Sequence, residues 1–139
     1  MPLAHGYRLS TDAPTVEAYR RLRAESGLSP KTAAQAEGAI AGTWTFRTVQ
    51  DDAGDTVAMG RVIGDGGWYF LIADMATLPA HQGLGIGRVI LDALLREIRE
   101  RAEPGAYVTL TADPPGRRLY ESFGFTDVAP GRTGMHLVL

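Results

Sequence analysis

Apolar residues recur along this chain with two different periods, and the change falls near Pro79. Beyond it, Leu91, Leu94, Leu95 and Ile98 stand at i, i+3, i+4 and i+7, while Arg88, Asp92, Arg96 and Arg99 lie largely on the other side. That pattern predicts a long amphipathic helix packed by its leucine face. Before Pro79 the signal is that of strands. TWTFRTV and TVAMGRVI, rich in β-branched and aromatic residues, flank the polar QDDAGD and read as a hairpin. GDGG at 64–67 has the residues for a tight reversal into a third strand, WYFLIADMATL, which completes an antiparallel meander.

The flanking segments extend this outline. GYRLS at 6–10 reads as a short strand, followed by a helix over about 14–26 with Asp12 as its cap and Pro14 in its first turn. A second, shorter helix is expected from Ser29 and Pro30, weakened by Gly38. After the long helix, EPGA is a stop, YVTLT a strand, DPPGRRLYESFG a capped short helix, and FTDVAP and MHLVL two terminal strands. A strand, a long helix and another strand between Trp68 and Thr111 imply a crossover and a parallel pair within a mixed sheet.

Composition narrows what such a chain can do. With 139 residues, 45% hydrophobic and 22% charged, it is expected to form a single domain over 1–139. A net charge of −2 argues against bulk electrostatic binding of nucleic acid. The absence of cysteine removes disulfides, thiolate nucleophiles, covalent cysteine intermediates and Cys-ligated zinc. No apolar run approaches the roughly 20 residues that span a bilayer, and MPLAHGYRLS lacks the features of a secretory signal. A cytoplasmic protein without a membrane or nucleic-acid partner is the expectation.

The most specific chemistry lies in HQGLGIG at 81–87, where three glycines at alternate positions precede the long helix. A helix start carries unpaired N–H groups and partial positive charge, and a loop stripped of side chains lets an anion reach them. The alternative is that the glycines only supply positive φ for a tight connection. A Walker loop needs Gly-Lys-Ser/Thr, whereas Gly87 is followed by Arg88 and Val89. A dinucleotide fingerprint would need a third glycine at Arg88, which counts against a nucleotide-binding oxidoreductase.

The spacing Gln82-x-x-Gly85-x-Gly87 resembles the pyrophosphate signature of the GNAT superfamily of acyl-CoA-dependent N-acyltransferases. RRLYESFGF, one strand later, resembles the family's second landmark, Leu-Tyr-Glu-x-x-Gly-Phe. The likeness is close over about 57–127 and holds only in element order over the first 55 residues, the part of the family that recognises the acceptor. It implies an α+β GNAT fold, a mixed and mostly antiparallel sheet of about six or seven strands flanked by about four helices. It also implies acetyl transfer from acetyl-CoA, as co-substrate, to an amine by direct attack in a ternary complex.

Residue by residue, the resemblance places the coenzyme pyrophosphate at Gln82, Gly83, Leu84, Gly85, Ile86 and Gly87, with Arg88 as a further contact. It places the pantetheine arm along Met75, Ala76 and Thr77, at the edge of a strand that bulges in the family. Read from the residues alone, DMATL is as well explained as an ordinary core strand. Tyr120 matches the family tyrosine that protonates the departing thiolate; a ring packed in a helix is the simpler alternative. Asp113 stands where many members carry an Asn that bonds the coenzyme arm, and it serves equally as a helix cap.

The position that supplies a glutamate base in some members falls at Leu71 or Ile72, neither of which is a carboxylate. Asp74, set among apolar neighbours, is the conspicuous candidate base, with a raised pKa expected if buried; water and a purely structural carboxylate are the alternatives. Asp65 reads as a turn former, and Glu17, Glu25 and Glu37 as solvated helix faces. His5, His81 and His136 lack metal-ligand spacing, and no metal is expected. A small-molecule amine is the expected acceptor, with peptide amines open. A homodimer is compatible with the family, and a non-catalytic acyl-CoA-binding regulatory module is the competing class.

Overall fold

The computed structural model describes residues 2–139, whose backbone groups into two compact units, one ending at Thr109 and the other spanning Leu110–Leu139. In the first unit, β1 (Arg8–Ser10), α1 (Val16–Glu25), α2 (Ala33–Ala41), β2 (Thr45–Gln50), β3 (Thr56–Gly64), β4 (Tyr69–Thr77), α3 (Ile86–Arg101) and β5 (Tyr107–Thr109) follow one another. The second unit holds α4 (Arg117–Ser122), led in by a 3-10 turn over Pro114–Gly116.

The five strands form one mixed sheet in sequence order. β1 to β4 are antiparallel neighbours, and β5 returns parallel to β4 after α3, as the strand–helix–strand pattern predicts. The α3 face that covers the sheet is the one read from the sequence, since Leu91, Leu94, Leu95 and Ile98 are buried with Ile86, Val89 and Ile90. Each fully buried aliphatic side chain contributes about 1.5–3 kcal/mol of hydrophobic stabilisation.

Local chemistry explains the boundaries, sometimes against expectation. Thr15, not Asp12, caps α1, its Oγ1 accepting from the Ala18 N–H at 3.1 Å. α2 begins after Thr32 rather than at Ser29, because Thr32 and Gln35 close a reciprocal capping box. Asp65 is the expected turn former, its Oδ1 accepting from the N–H groups of Gly67, Trp68 and Tyr69.

The fold class matches the resemblance, but the described sheet has five strands rather than six or seven. FTDVAP and MHLVL form no strand. Asp127 instead accepts from the Ala129 N–H, and the Arg132 N–H bonds the Val128 carbonyl, so turn bonds replace a ladder. Met135 is 93% exposed.

Candidate active site

β4 is irregular where the chemistry was expected. Its register against β3 pairs Arg61 with Ala73 and Met59 with Ala76, so Asp74 and Met75 together oppose Gly60. This is a β-bulge, and Asp74 adopts φ 54°, the one positive φ at a non-glycine among the described residues. Unbroken alternation would set Asp74 on the side of Phe70 and Ile72, toward α3. The bulge turns it to the side of Arg61 and gives its place over Gly60 to Met75.

Beyond the bulge, β4 has a free edge within its own unit. Its ladder with β5 covers only Tyr69 to Leu71, paired with Tyr107 to Thr109, whereas β4 itself continues to Thr77. Met75, Ala76 and Thr77, the residues expected to meet the pantetheine arm, lie in this unladdered stretch. The Gln82 side chain then donates to the Thr77 carbonyl at 3.0 Å, tying the strand end to the glycine loop.

In that loop Gly83 and Gly85 both adopt φ 79°, and Gly85 caps α3 from the left-handed region. Both positions therefore require the conformation that glycine adopts without strain. At each, an added Cβ would enter open space, so the backbone is approachable from outside. The helical ladder begins at Val89, whose N–H bonds the Gly85 carbonyl at 3.2 Å, which leaves the N–H groups of Ile86 and Gly87 ahead of it. Leu84 is half-exposed and Ile86 is buried, anchoring the helix start. Arg88 follows in the first turn of α3.

Asp74 is a tightly held carboxylate. Its Oδ2 accepts from the Tyr19 hydroxyl at 2.5 Å and from Arg61 Nε at 2.7 Å, and its Oδ1 is paired with Arg23 Nη1. Burial by itself pushes its pKa up, but the hydrogen bonds from Tyr19 and Arg61 and the charges of Arg61 and Arg23 together outweigh burial and hold it below the usual carboxylate value. This corrects the expectation of a raised pKa, because buried cations replace the apolar surroundings that the sequence suggested. Tyr19 moves the other way, raised by burial and then by its bond to Asp74.

Tyr19, Arg23 and Arg61 were not singled out in the sequence. The available signal was the i, i+4 spacing of Tyr19 and Arg23, which sets both on one face of α1. What they face across the fold is not encoded in that spacing.

In the second unit, Tyr120 lies on α4, with its ring edge-on to Phe125 at 6.0 Å between centroids. A Cβ at Gly116 would stand 3.1 Å from the Tyr120 ring, so the preceding turn packs closely on it. Burial and, secondarily, the negative charge of Asp113 raise its pKa, which keeps the phenol protonated at neutral pH. Asp113 precedes the 3-10 turn but makes no side-chain cap bond. Gly124 follows α4 at φ 93°, a conformation that glycine supplies at helix ends.

The remaining candidates have local roles. His81 Nδ1 meets the Tyr7 hydroxyl at 2.8 Å. Of the aromatic residues in the meander, Phe46 and Phe70 are in the core, while Trp68 and Tyr69 are exposed. Among the described residues no group of three or more His, Asp or Glu side chains could hold a metal ion, and no helix is long and apolar enough to cross a membrane.

Comparison with known proteins identifies the family. Residues 33–127 match the family model of the acetyltransferase (GNAT) domain. A protein of unknown function from meticillin-resistant Staphylococcus aureus, described as a "probable acetyltransferase", superposes with a TM-score of 0.91 at 37% identity, over 96% of this chain and 99% of that one. Serotonin N-acetyltransferase 2, chloroplastic, of Oryza sativa is 30% identical over 82 residues, 59% of this chain and 40% of the relative. An uncharacterised N-acetyltransferase of Porphyra purpurea is 33% identical over 85 residues, 61% of this chain and 48% of the relative. The chain belongs to the GNAT acetyltransferase family, and its matches span less than half the length of these two curated relatives.

Proposed function

We propose that this protein transfers an acetyl group from acetyl-CoA to an amine acceptor, in a ternary complex and without a covalent enzyme intermediate. The observation that carries this reading is the pair of left-handed glycines, Gly83 and Gly85, open to approach at the start of α3 and joined through Gln82 to the unladdered end of β4. The backbone from Gln82 to Gly87 offers donors for a pyrophosphate at the positive end of a helix. The edge from Met75 to Thr77 offers the pantetheine amides the hydrogen bonds of an added strand.

The co-substrate supplies an acyl group already activated as a thioester. Attack forms a C–N bond and breaks the C–S bond, so one proton must leave the amine and one must reach the sulfur. Tyr120 donates the second, a role supported by its place in the Leu-Tyr-Glu-x-x-Gly-Phe landmark and by a phenol that stays protonated. Water takes the first, since the Asp74 carboxylate is committed to three donors. An amine acceptor is in keeping with the N-acetyltransferase names of the relatives. Release of free thiol from acetyl-CoA in the presence of a panel of amines tests the proposal. Acetyl-CoA affinity with no turnover on any amine would favour the regulatory-module reading instead.

A further inference from the structure

Asp74 sits in a backbone conformation that side chains rarely adopt, and residues of this kind persist only where their surroundings over-determine them. Here three side chains from two elements do so. Tyr19 and Arg23 reach it from α1, and Arg61 reaches it from β3. Each arginine is itself fastened elsewhere. Arg23 donates from Nε to the Ser29 carbonyl and from Nη2 to the Ser29 hydroxyl, both at 3.0 Å. Arg61 donates from Nη1 to the Ala39 carbonyl at 3.2 Å and to the Thr43 hydroxyl at 3.1 Å. The three charged side chains are only 12%, 12% and 6% exposed.

The carboxylate thus joins the segment after α1 and the end of α2 to one point on β4, and that point is the bulge. The bulge lies between the last residue of β4 laddered to β5, Leu71, and the edge at Met75 to Thr77. Thr77 in turn receives the Gln82 side chain. A continuous series of contacts runs from Arg23 and Arg61 through Asp74 and the strand end to the start of the glycine loop.

We infer that Arg23, Arg61 and Asp74 form an ionic clamp that holds the β4 bulge in shape, and so act as positioning residues for acetyl-CoA. The inference rests on the reading of β4 and the glycine loop as the coenzyme site. Its structural half, the hold on the bulge, is measurable without any ligand. Asp74 is then not a base, and removing Arg23, which takes no part in proton transfer on either reading, produces the same defect as removing the Asp74 charge.

The test uses the full chain with Arg23→Met, Asp74→Asn and Arg23→Lys, followed by amide hydrogen exchange without coenzyme and by acetyl-CoA kinetics. Arg23→Met and Asp74→Asn are expected to speed exchange at residues 74–77 and to raise the KM for acetyl-CoA, each by about tenfold, with protection in the core of α3 retained. The acidic limb of the pH–rate profile stays in place in both. Arg23→Lys, which keeps the charge, recovers part of each loss and gives the same readout in a fold closer to the native one. Native exchange at 74–77 in Arg23→Met would overturn the clamp, as would an Asp74→Asn enzyme that loses its acidic limb at unchanged KM. If the native protein had no affinity for acetyl-CoA, the coenzyme reading would fail, while the exchange data would still decide whether the clamp holds the bulge.

Discussion

Met75 places its Sδ where Gly60 lacks a Cβ. A methyl group at Gly60 would overlap that sulfur and stand 2.7 Å from Cγ2 of Ile90 and 3.2 Å from Cδ1 of Leu94. Gly60 is therefore the space into which the bulge turns Met75, and Arg61, next along β3, receives Asp74 on the opposite face.

Gly60→Ala should accordingly destabilise the fold by about 1–3 kcal/mol, the range for overpacking a filled core. Urea denaturation reads the loss. Met75→Ala in the same background should recover part of it, since the sulfur is then gone. A Gly60→Ala protein as stable as the native one would show that the bulge can shift without cost.

Gly85→Val should weaken acetyl-CoA binding. A β-branched residue is strained at φ 79°, and its side chain would occupy the open space over the loop backbone. The native protein at 100 times its dissociation constant should gain about 2.7 kcal/mol from acetyl-CoA and little from NAD, and this stabilisation should shrink in the variant. Thermal shift measurements with both ligands check it. Equal shifts with NAD and acetyl-CoA would remove the pyrophosphate assignment.

Tyr120→Phe keeps the ring that packs near Gly116 and Phe125 and deletes only the hydroxyl group that carries the proton. Turnover should fall by roughly 10² to 10⁴, in kcat and kcat/KM together, with acetyl-CoA affinity almost unchanged. Steady-state kinetics and calorimetric titration measure the two. A loss under about tenfold would mean that water protonates the thiolate adequately.

The pairing of Asp74 with two arginines should make stability depend on acid. Its pKa is depressed in the folded protein, so the carboxylate's contribution is fully present above its unfolded pKa of about 3.9 and is lost as pH falls through the lower folded value. Native stability should therefore drop steeply below about pH 4, and Asp74→Asn should be less stable at neutral pH but flatter over the acid range. Urea midpoints measured against pH settle the matter. Parallel acid profiles for the two proteins would contradict it.

Much of this molecule was legible in one dimension because the determining interactions are local or periodic. The leucine face of α3, the meander from β2 to β4, the Asp65 turn and the parallel return of β5 follow from side-chain period and turn chemistry, which act over a few residues. The backbone turns at Gly83, Gly85 and Gly124 were legible for a similar reason, since a positive φ calls for glycine at a fixed place in a short span. Where two local signals competed, as between Asp12 and Thr15 or between Ser29 and Thr32, hydrogen-bond geometry chose the cap.

Tertiary structure alone decided the rest. Asp74 looks apolar-buried in the sequence because its neighbours along the chain are apolar, yet the groups that set its charge come from α1 and β3, 51 and 13 residues away. The bulge has the same origin. The family resemblance implied a bulge in this strand, but the residues of DMATL do not by themselves announce one, because the extra residue exists only relative to the register of β3, with Gly60 making room and Arg61 drawing the carboxylate across. The end strands fail for a related reason. MHLVL has strand composition, but a strand forms only where another backbone meets its N–H and C=O groups, and composition does not supply that partner.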